Sequence, residues 1–314
     1  MTTLPTILQL CPLSAYLEAG LAARCNVVRW HEMNAQAQAA WLQQHAASVR
    51  AVATGGHVGC SNELMRALPA LELIAINGVG TDKVDLALAR ERGVRVSTTP
   101  GVLTEDVADL AVGLTIGLLR GLAAADAHVR SGAWVRGERP LGRKVSGRRF
   151  GILGLGQIGS AIAVRLAAFG PVAYSNPTRR DVPYEYCPDV LALASAADVL
   201  IIACPANAAT HHLVDAAVLD ALGPQGYLVN IARGSIVDET ALAAALEAGK
   251  LAGAALDVFE NEPHVPAALQ HSERVLLTPH VASATVETRT GMADIVLANL
   301  DLCFAGQTRP GTTP

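Results

Sequence analysis

The chain has 314 residues, of which 51% are hydrophobic and 17% charged, with a formal net charge of −4. That length exceeds one ordinary core and predicts about two domains. A mildly acidic chain without a basic run excludes a nucleic-acid footprint, so no nucleic-acid partner is expected. The longest apolar runs, such as 199–205, are strand-length, so no membrane partner is expected either. Cys11, Cys25, Cys60, Cys187, Cys204 and Cys303 form no C-x-x-C pair and read as reduced, mostly buried thiols. No metal site is expected. The start MTTLPTILQL lacks a basic region and a long apolar core, so a cytoplasmic location without a signal peptide is expected.

In the first hundred residues, strands at 6–10, 27–30, 49–54, 73–77 and 94–97 alternate with helices at 13–24, 35–47, 62–68 and 85–92. Alternation of this kind predicts a parallel sheet covered by helices on both faces. Ligands gather beyond the carboxyl ends of such strands. Gly55-Gly56 and Gly78-Val79-Gly80 occupy two of those ends. The amides of Val79 and Gly80 are candidates for holding a small anion, the alternative being an ordinary strand-to-helix turn. Thr99-Pro100-Gly101 then breaks the chain, and one long helix is expected from Thr104 or Glu105 to about Arg130, with Thr104 as its cap. Residues 131–146 read as an extended arm whose Trp134 packs against a partner subunit or the mouth of the site.

A second alternating series begins at Phe150 with FGILGLGQIG. An apolar strand runs into Gly154, Gly156 and Gly159, and a helical pattern follows through Ile158, Ile162, Leu166 and Phe169. Strand, G-x-G-x-x-G turn and helix together form a cradle for a pyrophosphate. The glycines allow the turn, the close approach of phosphate and the packing of helix on strand, and free N–H groups at the helix start face the anion. Gly154, Leu155, Gly156, Gln157 and Ile158 are therefore candidate cofactor contacts. Further strands are expected at 171–174, 199–204, 227–231, 254–258 and 275–277, and helices at 191–196, 216–221 and 239–248. The stretch 175–188 reads as polar loop. A last helix at 286–304 is long enough to return to the first domain. The expected domains are thus 1–99 plus 285–314, discontinuous, and 100–284.

Cofactor choice is read at the end of the second strand of the dinucleotide unit, where an acid about 20 residues past the turn would bond the ribose hydroxyl of NAD. Here that position reads Ser175-Asn176-Pro177-Thr178-Arg179-Arg180, and no carboxylate occurs until Asp181. Guanidinium groups bind phosphate oxygens through paired, charge-assisted hydrogen bonds. NADP is the expected cofactor, with Ser175, Asn176, Pro177 and Arg179 among its contacts. Three polar residues then fall near strand ends: Arg233, Glu262 and His280. A hydride enzyme acting on a carbonyl needs an acid to protonate the alkoxide and a cation to hold a carboxylate-bearing substrate. Histidine suits the first task and arginine the second, with a carboxylate to orient the ring. Each residue alone also has a plain structural reading, and the combination is what points to catalysis.

The motifs GLGQIG (154–159), NIARGSIVDETAL (230–242), DVFENEP (257–263), Thr278-Pro279-His280 and VGTDKVDL (79–86) resemble those of the D-isomer-specific 2-hydroxyacid dehydrogenases over essentially the whole chain. Within that family the chain is most similar to NADPH-dependent glyoxylate/hydroxypyruvate and hydroxyphenylpyruvate reductases. The resemblance implies an α/β fold of two doubly wound parallel sheets, Rossmann-like and flavodoxin-like, with the active-site cleft between them. It implies Arg233 as substrate clamp, Glu262 and His280 as proton relay, and the amides of Val79 and Gly80 on the substrate carboxylate. It also implies that Asp257, Ile231, Ala232, Cys204, Pro205, Thr104, His280 and Ser283 line the nicotinamide and its ribose, and that the protein is a homodimer. Many members carry glycine within Val281-Ala282-Ser283, so an alanine here narrows the pocket; formate dehydrogenases carry glutamine where this chain has Glu262. The expected reaction is reduction of a small 2-keto acid to a D-2-hydroxy acid. Two other readings stay open: an NAD-preferring D-lactate-type dehydrogenase, and a nucleotide-sensing, corepressor-like binding protein of the same fold.

Overall fold

The computed structural model describes residues 4–307; residues 1–3 and 308–314, which belong to the expected terminal segments, lie outside the described residues. The chain divides into two compact units. One runs up to Leu103 and resumes at Ala284, and the other is the continuous stretch Thr104–Ser283.

The first unit holds five parallel strands, β1 (Thr6–Gln9), β2 (Asn26–Arg29), β3 (Val49–Gly55), β4 (Leu73–Asn77) and β5 (Arg95–Ser97), in the order β2-β1-β3-β4-β5. Successive side chains of a strand point to opposite faces, and the two faces here have different compositions. Leu8, Val52, Ile74, Ile76 and Val96 pack with Met65, Leu68 and Leu88 from helices Asn62–Ala67 and Leu86–Glu91 and the residue after the first of them. Ile7, Ala51, Ala53, Leu73 and Ala75 form the other face, under helices Ala15–Ala22 and Val286–Phe304. The alanines leave room for the long carboxy-terminal helix to lie close to the sheet. That helix is capped by Thr285, whose side chain accepts a hydrogen bond from the Thr288 amide.

The second unit holds seven parallel strands: β6 (Phe150–Leu153), β7 (Val172–Ser175), β8 (Glu185–Cys187), β9 (Val199–Ile202), β10 (Tyr227–Asn230), β11 (Gly253–Leu256) and β12 (Val275–Leu277). Their order is β12-β11-β10-β9-β6-β7-β8. The chain therefore winds outward in both directions from β6 and β9, and the point where the order reverses is where such sheets bind ligands. Leu153, Leu200, Ile202, Leu228 and Leu256 pack under the helices that carry Leu193, Val218, Leu219, Leu242 and Leu246. β6, β9, β10 and β11 are buried along their whole length, as expected of parallel strands covered on both faces.

Two expectations need correction. The single helix over 104–130 is two, Thr104–Arg120 and Leu122–Arg130, bent by 61° at Gly121. Gly121 adopts a left-handed conformation (φ 61°), which ends the first helix and caps the second. The stretch 175–188, read as loop throughout, contains β8, a three-residue edge strand paired with β7 at Ala173, Tyr174 and Ser175. Three residues are too few to show a two-residue period. Residues 133–136 of the arm form a short 3-10 turn, and Trp134 is 64% exposed on this chain. Among the described residues no single helix is long and apolar enough to cross a membrane.

Candidate active site

The glycine turn follows β6. Gly154 has φ 99°, and a Cβ there would press on the backbone of Cys204, two residues past the end of β9. A Cβ at Gly159 would run into the carbonyl oxygen of Gly154, so helix Gln157–Leu166 can start against the turn only because this residue is glycine. Gly156 is different: a Cβ there would meet nothing within 4 Å. It faces open space at the start of the helix and supplies no side-chain cap. The amide of Leu155 donates to Asn176 Oδ1 at 2.6 Å, and that of Gly154 to the Ser175 carbonyl at 2.9 Å, which ties the turn to the end of β7.

Two tyrosines hold the segment that follows. The hydroxyl of Tyr174 accepts from the Arg180 amide at 2.7 Å and donates to the Arg180 carbonyl at 3.0 Å. Tyr186 on β8 donates to the Asn176 carbonyl at 3.3 Å, and the two rings lie 5.5 Å apart. Ser175 is buried, Asn176 is half-buried, and Pro177, Arg179 and Arg180 are exposed. Two guanidinium groups are thus presented from a backbone pinned underneath, with no carboxylate before Asp181. Across the sheet, Cys204 is buried and Pro205 exposed. Burial pushes the Cys204 thiol up to about 11, so it is a packing residue rather than a thiolate.

Arg233 follows β10. Asn230, the last residue of that strand, accepts from the Ala232 amide at 3.0 Å and donates to the Arg233 carbonyl at 2.9 Å, folding the loop back on itself. Ile231 is buried, and Ala232 and Arg233 are half-buried. The next residue, Gly234, lies so close to the backbone of Phe259 and Glu260 that a Cβ could not be placed. The arginine loop is therefore seated directly on the segment that carries Glu262. Glu262 Oε1 accepts from the Phe259 amide at 3.0 Å, and its Oε2 lies 2.7 Å from His280 Nδ1.

His280 has φ 53°, a left-handed conformation that is uncommon for a residue with a Cβ. Asp257 is what sustains it. Fully buried, its carboxylate accepts from Thr278 Oγ1 at 2.7 Å, from the Val281 amide at 2.9 Å and from the Ala282 amide at 2.9 Å, while its carbonyl accepts from the His280 amide at 2.7 Å. The aspartate thus grips the chain on both sides of the histidine. Ser283, half-buried, ends this unit, and Thr104, also half-buried, opens its first helix. Val79 and Gly80 belong to the first unit, in the turn after β4, where the Thr99 amide donates to the Gly78 carbonyl at 2.9 Å.

Several residues around this centre were given no role by the sequence: Asn230 and Glu239 lie inside the 230–242 motif, Tyr174 and Tyr186 outside any motif. Tyr174, Tyr186 and Asn230 position the loops just described. Glu239 accepts from the Glu260 amide at 2.9 Å; burial, with the charges of Glu260 and Glu262 adding to it, pushes its carboxyl above the usual range. Among them only Asn230 lies beside a residue with a legible role, and the others are brought in by tertiary packing.

A nucleotide-binding sheet, an open glycine turn and a carboxylate–histidine pair beside an arginine loop define an oxidoreductase that uses a nicotinamide dinucleotide. Residues 112–282 match the family model for the D-isomer specific 2-hydroxyacid dehydrogenase, NAD binding domain, and the chain belongs to that family. It is 49% identical over 303 residues to glyoxylate/hydroxypyruvate reductase A of Arabidopsis thaliana, covering 96% of each chain. It is 48% identical over 310 residues to the hydroxyphenylpyruvate reductase of Plectranthus scutellarioides, covering 98% of each. A solved structure of the NADPH-dependent glyoxylate/hydroxypyruvate reductase from Sinorhizobium meliloti, in complex with NADP and malonate, superposes with a TM-score of 0.89 at 42% identity, over 98% of this chain and 96% of that one. The open side of Gly156, the uncapped helix start and the positive φ of Gly154 fit such a dinucleotide.

Proposed function

We propose that the chain is an NADPH-dependent reductase of small 2-keto acids, such as glyoxylate or hydroxypyruvate, yielding D-2-hydroxy acids. The observation that carries this reading is the Glu262–His280 pair at 2.7 Å, set on the same segment against which Gly234 seats the Arg233 loop. The bound nicotinamide supplies the hydride. Arg233 holds the substrate's carboxylate and polarises its keto oxygen, for which a forked, permanently charged donor is suited. His280 donates a proton from Nε2 to the oxygen that becomes the alcohol. Glu262, against Nδ1, holds the ring in the orientation that turns Nε2 outward. Val79 and Gly80 would add amide donors for the carboxylate. Arg179 and Arg180, exposed beyond β7, would hold the 2′-phosphate of the cofactor, and the Sinorhizobium relative's complex with NADP supports that choice.

The test is a panel of 2-keto acids with NADPH and NADH, followed by absorbance. Arg233→Ala and His280→Ala should each lower turnover by about 10²–10⁴-fold; loss of only a few-fold in either would sink the mechanism. Arg179→Ala should raise KM for NADPH and leave that for NADH alone. Equal use of the two cofactors by the wild type would sink the 2′-phosphate assignment, and faster turnover with NADH would favour the NAD-preferring reading.

A further inference from the structure

One cluster of side chains in the second unit has no part in the chemistry above. His211 and His212 lie on the segment between β9 and β10, and Glu260 lies two residues before Glu262. Neighbouring side chains ordinarily diverge, but His212 takes a left-handed backbone conformation (φ 49°), rare for a residue with a Cβ. The two imidazoles consequently stack, with centroids 4.0 Å apart and planes inclined by 29°. Both offer Nε2 to one carboxylate oxygen: His212 Nε2 is 2.9 Å and His211 Nε2 3.8 Å from Glu260 Oε1. One ligand atom from each residue lies within 4.8 Å of the other two.

We propose that His211, His212 and Glu260 form a binding site for a divalent ion of the zinc class. A tetrahedral ion with nitrogen and oxygen ligands at about 2.0–2.2 Å keeps those ligands roughly 3.4 Å apart, and the two observed separations fall on either side of that value. Two imidazoles and one carboxylate select zinc, copper or nickel over magnesium and calcium, which prefer all-oxygen sites. The ligand side chains are reachable from solvent, with 58% exposure for His211, 36% for His212 and 30% for Glu260. The backbone behind them is tied down. The Glu260 amide donates to Glu239 Oε1 at 2.9 Å, and the His212 amide to the Ser235 carbonyl at 2.9 Å. Outer contacts of this kind hold ligands in place for a metal. A plain ion pair would need only His212 and Glu260; the stacking of His211 on the same side is what completes a three-ligand face. Ion binding there would join the 211–212 segment to the segment whose Phe259 amide holds Glu262, stiffening the second unit without touching the reacting atoms.

The experiment uses the full chain without a histidine tag, stripped with a chelator and titrated with zinc chloride against a chromophoric zinc indicator. A single zinc ion per chain is expected in the wild type. His211→Ala and Glu260→Gln should each weaken binding by about tenfold or more, and excess magnesium should not compete. Zinc should raise the thermal midpoint of the wild type by more than that of His211→Ala at the same concentration. Because His211 touches neither substrate nor cofactor in the reading above, His211→Ala should keep its zinc-free turnover. Absence of zinc binding in the wild type, or equal affinity in the wild type and His211→Ala, overturns the proposal. Neither result bears on the reductase reading.

Discussion

At the scale of single residues, the histidine proposed as proton donor depends on an aspartate that the family resemblance assigns only to the nicotinamide. Asp257 spends both carboxylate oxygens inside the protein, on Thr278, Val281 and Ala282. Asn at this position keeps one acceptor and turns an amide donor toward the amide of Ala282 or Val281. A buried donor left facing a donor costs about 1–3 kcal/mol. Asp257→Asn should therefore lower the thermal midpoint by roughly 2–12 °C and reduce turnover as well, because the strained backbone of His280 loses its brace. A variant that melts like the wild type, with unaltered activity, would show that the left-handed turn is held by other contacts. The motif Asp-Val-Phe-x-x-Glu-Pro marks Asp257 in the sequence but not this role, since its three donors lie 21–25 residues away.

At the scale of the element, the glycines of the second unit separate into those that packing demands and those that a ligand would demand. Gly234 has the backbone of Phe259 and Glu260 where its Cβ would be, whereas Gly156 has open space. Gly234→Ala must push two loops apart, and overpacking of this kind costs about 1–3 kcal/mol; both stability and turnover should fall. Gly156→Ala, with φ −81° and ψ −157° already suited to a side chain, should stay within about 0.5 kcal/mol of the wild type while KM for the cofactor rises. Chemical denaturation and cofactor titration check the two together. A Gly156→Ala protein with unaltered cofactor affinity would contradict the cradle. The glycine spacing was legible in the sequence because it sits between a clear strand and a clear helix. The break at Gly121 and the edge strand Glu185–Cys187 were not. A helical period continues through a single glycine, and a three-residue strand has no period to read. Chemistry at strand ends made Glu262 and His280 candidates, and the family resemblance paired them. The pairing of His212 with Glu260 had no such signal, because two residues 48 positions apart are brought together only by the sheet.

At the scale of the molecule, the alternation of strands and helices predicts two parallel sheets, and their orders could not be read from alternation alone. β2-β1-β3-β4-β5 and β12-β11-β10-β9-β6-β7-β8 depend on which strand turns back, a matter of crossover direction that leaves no local mark. The cores carry the consequence. One apolar cluster of the first unit draws on two chain segments, with Ile7, Leu17 and Ala75 meeting Ala293, Val296 and Leu300. That unit needs both ends of the chain. The second unit is one continuous stretch, Thr104–Ser283, and an apolar cluster from Leu153 to Leu269 draws only on residues within it. A domain with its own core can fold alone. Residues 104–283 expressed by themselves should therefore give a cooperative melt by circular dichroism and retain a Kd for NADPH within about tenfold of the whole chain, since all the candidate cofactor contacts lie in this stretch. They should show no reduction of 2-keto acids, because the proposed carboxylate amides at Val79 and Gly80 are missing. The remainder, the first unit with a short linker replacing 104–283, should fold without binding NADPH. A 104–283 fragment that folds but does not bind NADPH would place essential cofactor contacts outside this unit; one that turns over keto acids would remove Val79 and Gly80 from the substrate site.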